Sequence, residues 1–429
     1  MLLALLLACI VASYFSYHVV EKYKRPVGND LMVFVQASQN FWTTGQLYDR
    51  KEPLQITYQP GSATFKFPPP FQIALAPWVK KGIPENFFLY ASAIMLLFYG
   101  LSVILLWKMS KPILERNTHT NNWTSKTLLA CFILVTCLSF TPFFSAFTLL
   151  AIEIPLLFFI LASFYFSKSK PALSGLLLAL SSAIKIYPVF IILYFIIMKQ
   201  WKVILFFIIG LFLTVALSIS AFGVIENIFY FQKVLPVLLQ EKPANHIENL
   251  GLEYSAFAMT GWPSLSGNLS LALRVFFLSA TAFCIFSCRK ILPYQEKKLF
   301  SLLLITMILM LNNRWVQYDL FLLLGIIILG ANAIEKGNRG LIIFLAFTLL
   351  LIKPELEWAA IFTSDNPSET TKLPGKIESH GMLYALWNYD KTIATAWIFI
   401  QIKSIIPVIL WAIYIRWIFL EKSFAQNQS

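Results

Sequence analysis

Runs of apolar residues long enough to cross a lipid bilayer recur along the whole chain. A helix of about 20 residues spans the hydrocarbon core of a membrane. Backbone inside hydrocarbon must satisfy its own N–H and C=O groups, and continuous runs favour helices over the shorter, alternating strands of a barrel. Hydrophobic residues make up 58% of the sequence, charged residues make up 13%, and the mean hydropathy is +0.70. The sequence therefore predicts an all-α, polytopic membrane protein.

The apolar runs and the charges between them predict about twelve membrane-spanning helices. The predicted spans are 2–20, 86–107, 127–140, 145–166, 173–186, 189–198, 203–222, 271–288, 299–311, 320–333, 341–352 and 393–419. The first run lacks a basic start and a small-residue cleavage site, so we interpret it as a retained helix. Two of the runs are short and flank Pro188, which predicts broken or shallow helices there.

The net charge of +13 comes mostly from Lys and Arg in short loops on alternate connections between spans. This distribution is typical of cytoplasmic loops, so it gives no reason to expect a nucleic-acid partner and predicts cytoplasmic termini. The long loops, about 21–85, 223–270 and 353–391, then face outward as a layer of loops and short interfacial helices. We predict one membrane domain over 1–420 and a polar cytoplasmic tail over 421–429.

The five cysteines lie in or beside apolar runs and lack the spacing of metal ligands. We interpret them as small apolar core residues. The sequence also lacks a Walker A motif, a zinc-protease HExxH motif and a strand-linked GxGxxG. No metal and no cofactor are therefore predicted.

Asp30 follows the first apolar run and a basic stretch that contains Lys24 and Arg25. A carboxylate at the membrane surface is suited to act as a general base in an interfacial pocket. The structural alternative is a helix N-cap or an ion pair with one of the two nearby cations. Position alone gives the two interpretations equal weight.

Two further cations interrupt apolar sequence at the outer side. Lys185 ends one apolar run and precedes Tyr187, and a lysine in such a position is usually functional or paired. We favour an anion-binding role, shared with Tyr187, over snorkelling to the surface. Arg314 offers a planar fork of donors suited to phosphate, and an ion pair with Asp319 is the equally weighted alternative.

Two other ionisable residues attract attention. Glu153 lies inside a predicted span, where a lone acid is a functional hypothesis by default. Its alternative role is to accept a hydrogen bond from a neighbouring helix. His246 lies in the second outer loop, where a histidine is able to bind phosphate or shuttle protons but is more often simply solvated.

Several short motifs occur in a fixed order from the first to the tenth predicted span. They are Asp30 with Val33-Phe34, Gly45-x-x-Tyr48, Phe67-Pro68-Pro69, Gly175 followed by Lys185-x-Tyr187-Pro188, and Asn313-Arg314-Trp315. In this order and placement the chain resembles glycosyltransferase family 87, a group of GT-C membrane transferases that use polyprenyl-phosphate sugars and include bacterial mannosyltransferases. The resemblance implies a GT-C-like fold.

The resemblance also implies roles for individual residues. An acid in the first outer loop acts as the base, and Asp30 occupies that position. The matching motifs put Tyr48, Phe67 and Trp315, together with the residues named above, among the expected substrate contacts, and Lys66 beside Phe67 is a further expected contact.

Three elements depart from the family pattern. The family's Tyr-Pro-Pro element reads Phe67-Pro68-Pro69 here. A Gly-Gln-x-Asn element in the fourth span is replaced by Ile-Glu-Ile-Pro at 152–155. The segment before Arg274, often Asn-Gln-Ser-Leu, reads differently at 264–270. These departures concern the identity of the substrate more than the class of reaction.

The expected function is transfer of a sugar, a hexose such as mannose, from a polyprenyl-phosphate donor to a lipid or glycan hydroxyl. The expected location is a bacterial inner membrane, among membrane lipids, with an inverting active site facing outward. The main alternative is a transporter or flippase for a lipid-linked or small polar substrate. A transporter predicts internal repeats and charges near the bilayer midplane, whereas the polar candidates here cluster outward.

The charge pattern makes a testable prediction about topology. Single cysteines at Lys111, Lys168, Lys199 and Lys290 should be protected from an impermeant thiol reagent in intact cells, whereas cysteines at Tyr48, His246 and Ser364 should react. Reaction at position 168 combined with protection at position 48 would reverse the predicted orientation.

Overall fold

The computed structural model describes residues 28–48, 50, 65–80, 82–115, 123–239, 249–260, 263–289, 295–338 and 391–426. These residues form helices and no strand, so the prediction of an all-α protein is confirmed for them. The α-helices are α1 Asn29–Thr44, α2 Gln72–Val79, α3 Phe87–Leu114, α4 Trp123–Ser139, α5 Thr141–Leu149, α6 Glu153–Phe166, α7 Pro171–Ile184, α8 Ile192–Ile197, α9 Trp201–Phe229, α10 Leu235–Leu239, α11 Leu252–Thr260, α12 Pro263–Cys288, α13 Glu296–Leu309, α14 Leu323–Glu335 and α15 Lys391–Gln426.

Five helical segments of the described chain are long and apolar enough to cross a membrane. They are Phe87–Leu114, Trp201–Leu238, Gly267–Cys288, Val316–Glu335 and Lys403–Ser423. A sixth span results if α4 and the following Pro142–Leu149, which meet at 47°, are counted together. The predicted count of about twelve is not confirmed. The predicted spans 2–20 and 341–352 lie outside the described residues, as does His246.

The chain divides into two compact units. The Asp30 unit consists of the described residues of 28–106 and 146–239. The Arg314 unit consists of those of 107–145 and 249–426. The expectation of one membrane domain over 1–420 stays a prediction.

In the Asp30 unit, α6, α7 and α9 pack closely because small residues line their contacts. The hydroxyls of Ser163 in α6 and Ser174 in α7 each donate to the other residue's carbonyl, at 2.9 Å and 2.7 Å. A Cβ atom at Gly175 would lie 2.6 Å from the backbone nitrogen of Phe207 in α9. Backbones approach this closely only where side chains are small.

The predicted span 145–166 is wrong, because the structure contains two helices there. α5 ends at Leu149, and Leu150 adopts a positive φ of 49°. Pro155 has no backbone N–H to donate to the preceding turn, so it is tolerated only in the first turn of a new helix. Glu153 therefore lies at the start of α6, where the helix dipole favours its negative charge.

The predicted outer loop 223–270 is also more helical than expected. Gly223 breaks α9 with φ 81° and ψ 167°, and the helix resumes and continues through a π turn, Tyr230–Val234, into α10. The Asn227 side chain bridges the break, because it donates to the Gly223 carbonyl and accepts from the Ser218 hydroxyl, both at 2.8 Å. α11 and the first turns of α12 occupy most of the other described residues of this loop.

The prediction of broken helices around Pro188 agrees with the structure. α7 ends at Ile184, and Lys185 is extended, with φ −137° and ψ 146°. A short 3-10 helix, Tyr187–Ile191, leads into α8. Because the helix ends here, the Lys185 side chain contacts residues that it would not reach from a continuous helix.

The contact at Gly175 predicts a specific loss of stability. Gly175→Ala should destabilise the protein by about 1–3 kcal/mol, because the added methyl group meets backbone atoms of α9 that cannot move aside. Gly100→Ala is the matched control in α3, where nothing lies within 4 Å of the added carbon. This variant should be neutral or slightly stabilising. Thermal unfolding of both purified proteins measures the difference, and equal melting temperatures would contradict the proposed packing.

Candidate active site

Gly28 fixes the position at which α1 begins. Its φ of 99° is readily adopted only by glycine, and an added Cβ would lie 2.9 Å from Phe88 and 3.0 Å from Leu150. Its N–H donates to the Thr148 carbonyl at 3.0 Å. Because Gly28 is the N-cap and no side chain caps this helix, Asp30 lies in the first turn and is not the cap. The structure thus excludes the capping interpretation. Lys24 and Arg25 lie outside the described residues.

Asp30 is half-buried among charged neighbours. Burial raises the pKa of its carboxyl from 3.8 to about 6, the negative charge of Glu153 adds to the rise, and the Lys185 ammonium opposes it. The sequence separates these three residues widely, but the fold of the Asp30 unit brings their charges within electrostatic reach of one another. A carboxyl group with a perturbed pKa beside a specific charged partner is a candidate functional group.

Lys185 is almost fully buried, and it forms an ion pair with Glu153. Its ammonium also lies over the ring of Phe67, at 5.0 Å from the centroid. Glu153 is completely buried, and it accepts a hydrogen bond from Lys185 at the end of α7. This agrees with one of its two interpretations, an acceptor for a neighbouring helix. Lys185 does not snorkel, because its charge is held inside the protein.

An aromatic layer, formed by Phe34, Tyr48, Phe65, Phe67 and Phe71, packs beside these charges. Phe34 stacks on Phe67 with centroids 4.5 Å apart and meets Phe71 edge-on at 4.9 Å. Phe34 follows Asp30 by one helical turn, so the two residues share a face of α1. The layer therefore connects the helix that carries Asp30 with the ring that lies below Lys185.

Tyr48 supports this layer from the chain that follows α1. Its ring is 1% exposed and stacks on Phe65 at 5.2 Å, and its hydroxyl donates to the Phe67 carbonyl at 2.8 Å. Glu226, beyond the break in α9, accepts from the Leu47 N–H at 2.8 Å and pairs with Arg50. These bonds anchor the segment after α1 beside the candidate site.

The other predicted contacts of the Asp30 unit, Lys66 and Tyr187, are both half-buried as residues, although the hydroxyl of Tyr187 is itself enclosed. Lys66 directly precedes Phe67 in the sequence, and Tyr187 follows Lys185. Each has polar or ring interactions of its own. The Asp30 unit thus contains Asp30, Tyr48, Lys66, Phe67, Lys185 and Tyr187 from the predicted site.

Arg314 belongs to the other unit, where its buried side chain contacts an acid and two backbone carbonyls. Its side chain is 1% exposed, with Nε at 3.1 Å from Oδ1 of Asp319, although this contact lacks hydrogen-bond geometry. Its terminal nitrogens donate to the carbonyls of Ser404 at 3.5 Å and Lys403 at 3.2 Å. The geometry therefore agrees with the structural alternative, the ion pair with Asp319.

Polar residues around Arg314 hold the turn between α13 and the 3-10 helix Val316–Leu322. Asn249 Oδ1 accepts from the Arg314 N–H at 3.2 Å, and the Leu250 N–H donates to the Arg314 carbonyl at 2.6 Å. Trp315 is half-buried and extended at the start of the 3-10 helix. Arg314 and Trp315 thus lie in an ordered polar turn of the Arg314 unit.

Sequence reasoning missed three residues that shape these sites. Lys403 and Glu226 are buried charges, and each interrupts an apolar run, which is the available signal. Gly28 is indistinguishable from other loop glycines until its φ is known. Among the described residues, no group of three or more His, Cys, Asp or Glu side chains is arranged to hold a metal ion.

The buried environment of Arg314 predicts the effect of removing it. Arg314→Ala should cost about 3–5 kcal/mol, because it leaves Asp319 buried without its charge partner. Lys111→Ala is a control in the same unit, because Lys111 pairs with Glu115 at the surface and exposed pairs contribute at most about 1 kcal/mol. Thermal unfolding and yield of folded protein report the two effects. Similar stability of the two variants would contradict the structural role of Arg314.

Comparison with known proteins identifies the family. No curated protein matches this chain. The model of Glycosyltransferase family 87 matches residues 65–316, which is more than half of the sequence. The match includes Phe67, Lys185 and Arg314, and it begins after Asp30 and Tyr48. The chain is therefore a member of glycosyltransferase family 87 and a membrane glycosyltransferase.

Proposed function

We propose that this protein transfers a sugar, a hexose such as mannose, from a polyprenyl-phosphate donor to a hydroxyl group of a lipid or glycan acceptor. The active site faces the outer side of a bacterial inner membrane. Family membership supports a transferase over the transporter alternative. The apolar helices support a donor whose lipid tail remains in the bilayer while its sugar reaches the aqueous boundary.

The observation that carries this proposal is the environment of Asp30. A general base works best when its pKa lies near the operating pH, and burial raises the pKa of Asp30 to about 6. Asp30 as a residue is half-buried, so part of it remains accessible from outside the protein. Its position in the first turn of α1 is maintained by the Gly28 cap.

The reaction requires only one base. The acceptor oxygen attacks the anomeric carbon while the bond from that carbon to the phosphate oxygen breaks. The bonding electron pair leaves with the phosphate, and the hydroxyl proton moves to the Asp30 carboxylate. Because the acceptor displaces the phosphate directly from the opposite side, the anomeric configuration is inverted.

Lys185 is the proposed contact of the donor phosphate. Its ammonium lies over Phe67 in the group of charges that contains Asp30, so it is suited to stabilise charge that develops on the leaving oxygen. Tyr187 and Lys66, both half-buried, are proposed as additional donors to the phosphate or the sugar. Tyr48 acts through the aromatic layer, because its hydroxyl already binds the Phe67 backbone.

The role of Asp30 predicts a selective loss of transfer. Asp30→Asn should lower the rate of sugar transfer by about 10²–10⁴-fold, because the amide cannot accept the proton of the acceptor hydroxyl. Binding of the polyprenyl-phosphate sugar should persist, because the carboxylate faces the acceptor. Asp30→Glu should retain a small part of the activity, since the carboxylate is kept but displaced. Near-normal transfer by purified Asp30→Asn protein in lipid would refute the assignment.

The pKa of Asp30 predicts how transfer depends on pH. Asp30 accepts a proton only in its charged form, which predominates above pH about 6 and is lost below it. The rate should therefore fall about tenfold for each pH unit below that value. An exposed aspartate, with a pKa near 3.9, would maintain full activity down to about pH 5. Transfer assays between pH 4.5 and 8 distinguish the two profiles, and an unchanged rate at the acid end would contradict the prediction.

A further inference from the structure

Glu153 carries a buried charge that contributes poorly to stability. One carboxylate oxygen accepts from Lys185, whereas the other is buried and has no hydrogen-bond partner among the described residues. An unsatisfied buried oxygen costs free energy, and a buried ion pair is often no better than two well-packed apolar residues. This half-satisfied carboxylate therefore calls for an explanation other than stability.

Three elements of the Asp30 unit each contribute one ionisable group to the same region. α1 contributes Asp30, the start of α6 contributes Glu153, and the end of α7 contributes Lys185. The charges of Glu153 and Lys185 both act on Asp30. Asp30 is the one ionisable residue of α1. The segment 65–79, which packs against α1, also has a single ionisable residue, Lys66. Lys185 is the cation that acts on Asp30, so Asp30 and Glu153 compete for its ammonium group.

The position of Lys185 shows which carboxylate it binds. Its ammonium pairs with Glu153 and lies over Phe67, and Phe67 in turn stacks on Phe34 of α1. Asp30 is one turn away on the same helix face. Lys185 is therefore close enough to influence Asp30 while its ion pair is made with Glu153.

We propose that Glu153 is a positioning residue, whose carboxylate holds Lys185 against Phe67 and keeps that ammonium group from pairing with Asp30. The proposal rests on the role of Asp30 as base in the proposed function. A cation in direct contact with Asp30 would stabilise the carboxylate and make it a weaker base. It would also occupy the oxygen that has to receive the proton of the acceptor.

Direct titration of Asp30 tests the proposal without any assay of sugar transfer. The chain contains five aspartates, so carbon-13 labelling of aspartate carboxyl groups gives few signals, and the Asp30→Asn variant identifies the one from Asp30. In Glu153→Gln, Lys185 is released to Asp30, and the pKa of Asp30 should fall by about one unit or more. Glu226→Gln removes a similarly buried, paired acid in the same unit and should leave this pKa unchanged.

Lys185→Met, made in two backgrounds, separates the proposed mechanism from a simple loss of negative charge. If Lys185 pairs with Asp30 only when Glu153 is removed, Lys185→Met should raise the pKa of Asp30 by about one unit or more in the Glu153→Gln protein, which gives the double variant, and by clearly less in the original protein. Equal rises in the two backgrounds, or an unchanged pKa in the folded Glu153→Gln single variant, would overturn the proposal. The single variant should fold, because Lys185 gains Asp30 as its new partner. If it fails to fold while the double variant folds, Lys185 does not reach Asp30 and the proposal is wrong.

The outcome is distinguishable from failure of the proposed function. If Asp30 is not the base, the Asp30→Asn protein transfers sugar normally, whatever the titration of Asp30 shows. If Glu153 is not a positioning residue, the Asp30 signal titrates alike in the single variant and in the original protein, whatever the transfer assay shows.

Discussion

A helix that stops within an apolar layer leaves N–H and C=O groups that need other partners, and this constraint organises both units of the protein. At Gly223 the Asn227 side chain donates to the freed carbonyl, and buried charges lie beside this and other interruptions. Glu153 follows the break after α5, Lys185 follows the end of α7, and Glu226 follows the break at Gly223. Arg314 similarly follows the end of α13. The buried charges of both units therefore occur where helices are interrupted.

The charges around Arg314 and those around Asp30 differ in whether they remain accessible to a substrate. Arg314 is surrounded by an acid and backbone carbonyls, so its donors serve the fold of its own unit. The group around Asp30 differs in exposure, because Asp30 is half-buried whereas Arg314 and Asp319 are buried. An unsatisfied buried atom occurs in both groups, one oxygen of Glu153 and Nε of Arg314, so this property does not separate them. The contrast explains why the proposed chemistry is assigned to the Asp30 unit.

The aromatic layer has a mechanical and an electrostatic role. Phe34, Phe67 and Tyr48 connect α1 with the segment before α2 through ring stacking and one hydrogen bond. The face of the Phe67 ring is also a favourable surface for the Lys185 ammonium, and this attraction strengthens where water is excluded. The same rings therefore hold Asp30 in position and lower the cost of burying the nearby cation.

The sequence by itself determined the all-α membrane class, the family and most individual polar candidates, because apolar length, short motifs and isolated charges are local properties. It also predicted the break near Pro188, since proline acts on its own turn. It could not show that Glu153, 32 residues before Lys185, is the partner of that lysine. Nor could it choose between phosphate and Asp319 for Arg314, or foresee the bond from Tyr48 to Phe67. Those outcomes depend on which helix ends meet, and only the tertiary packing decides that, because electrostatic and hydrogen-bond partners are chosen by distance in space.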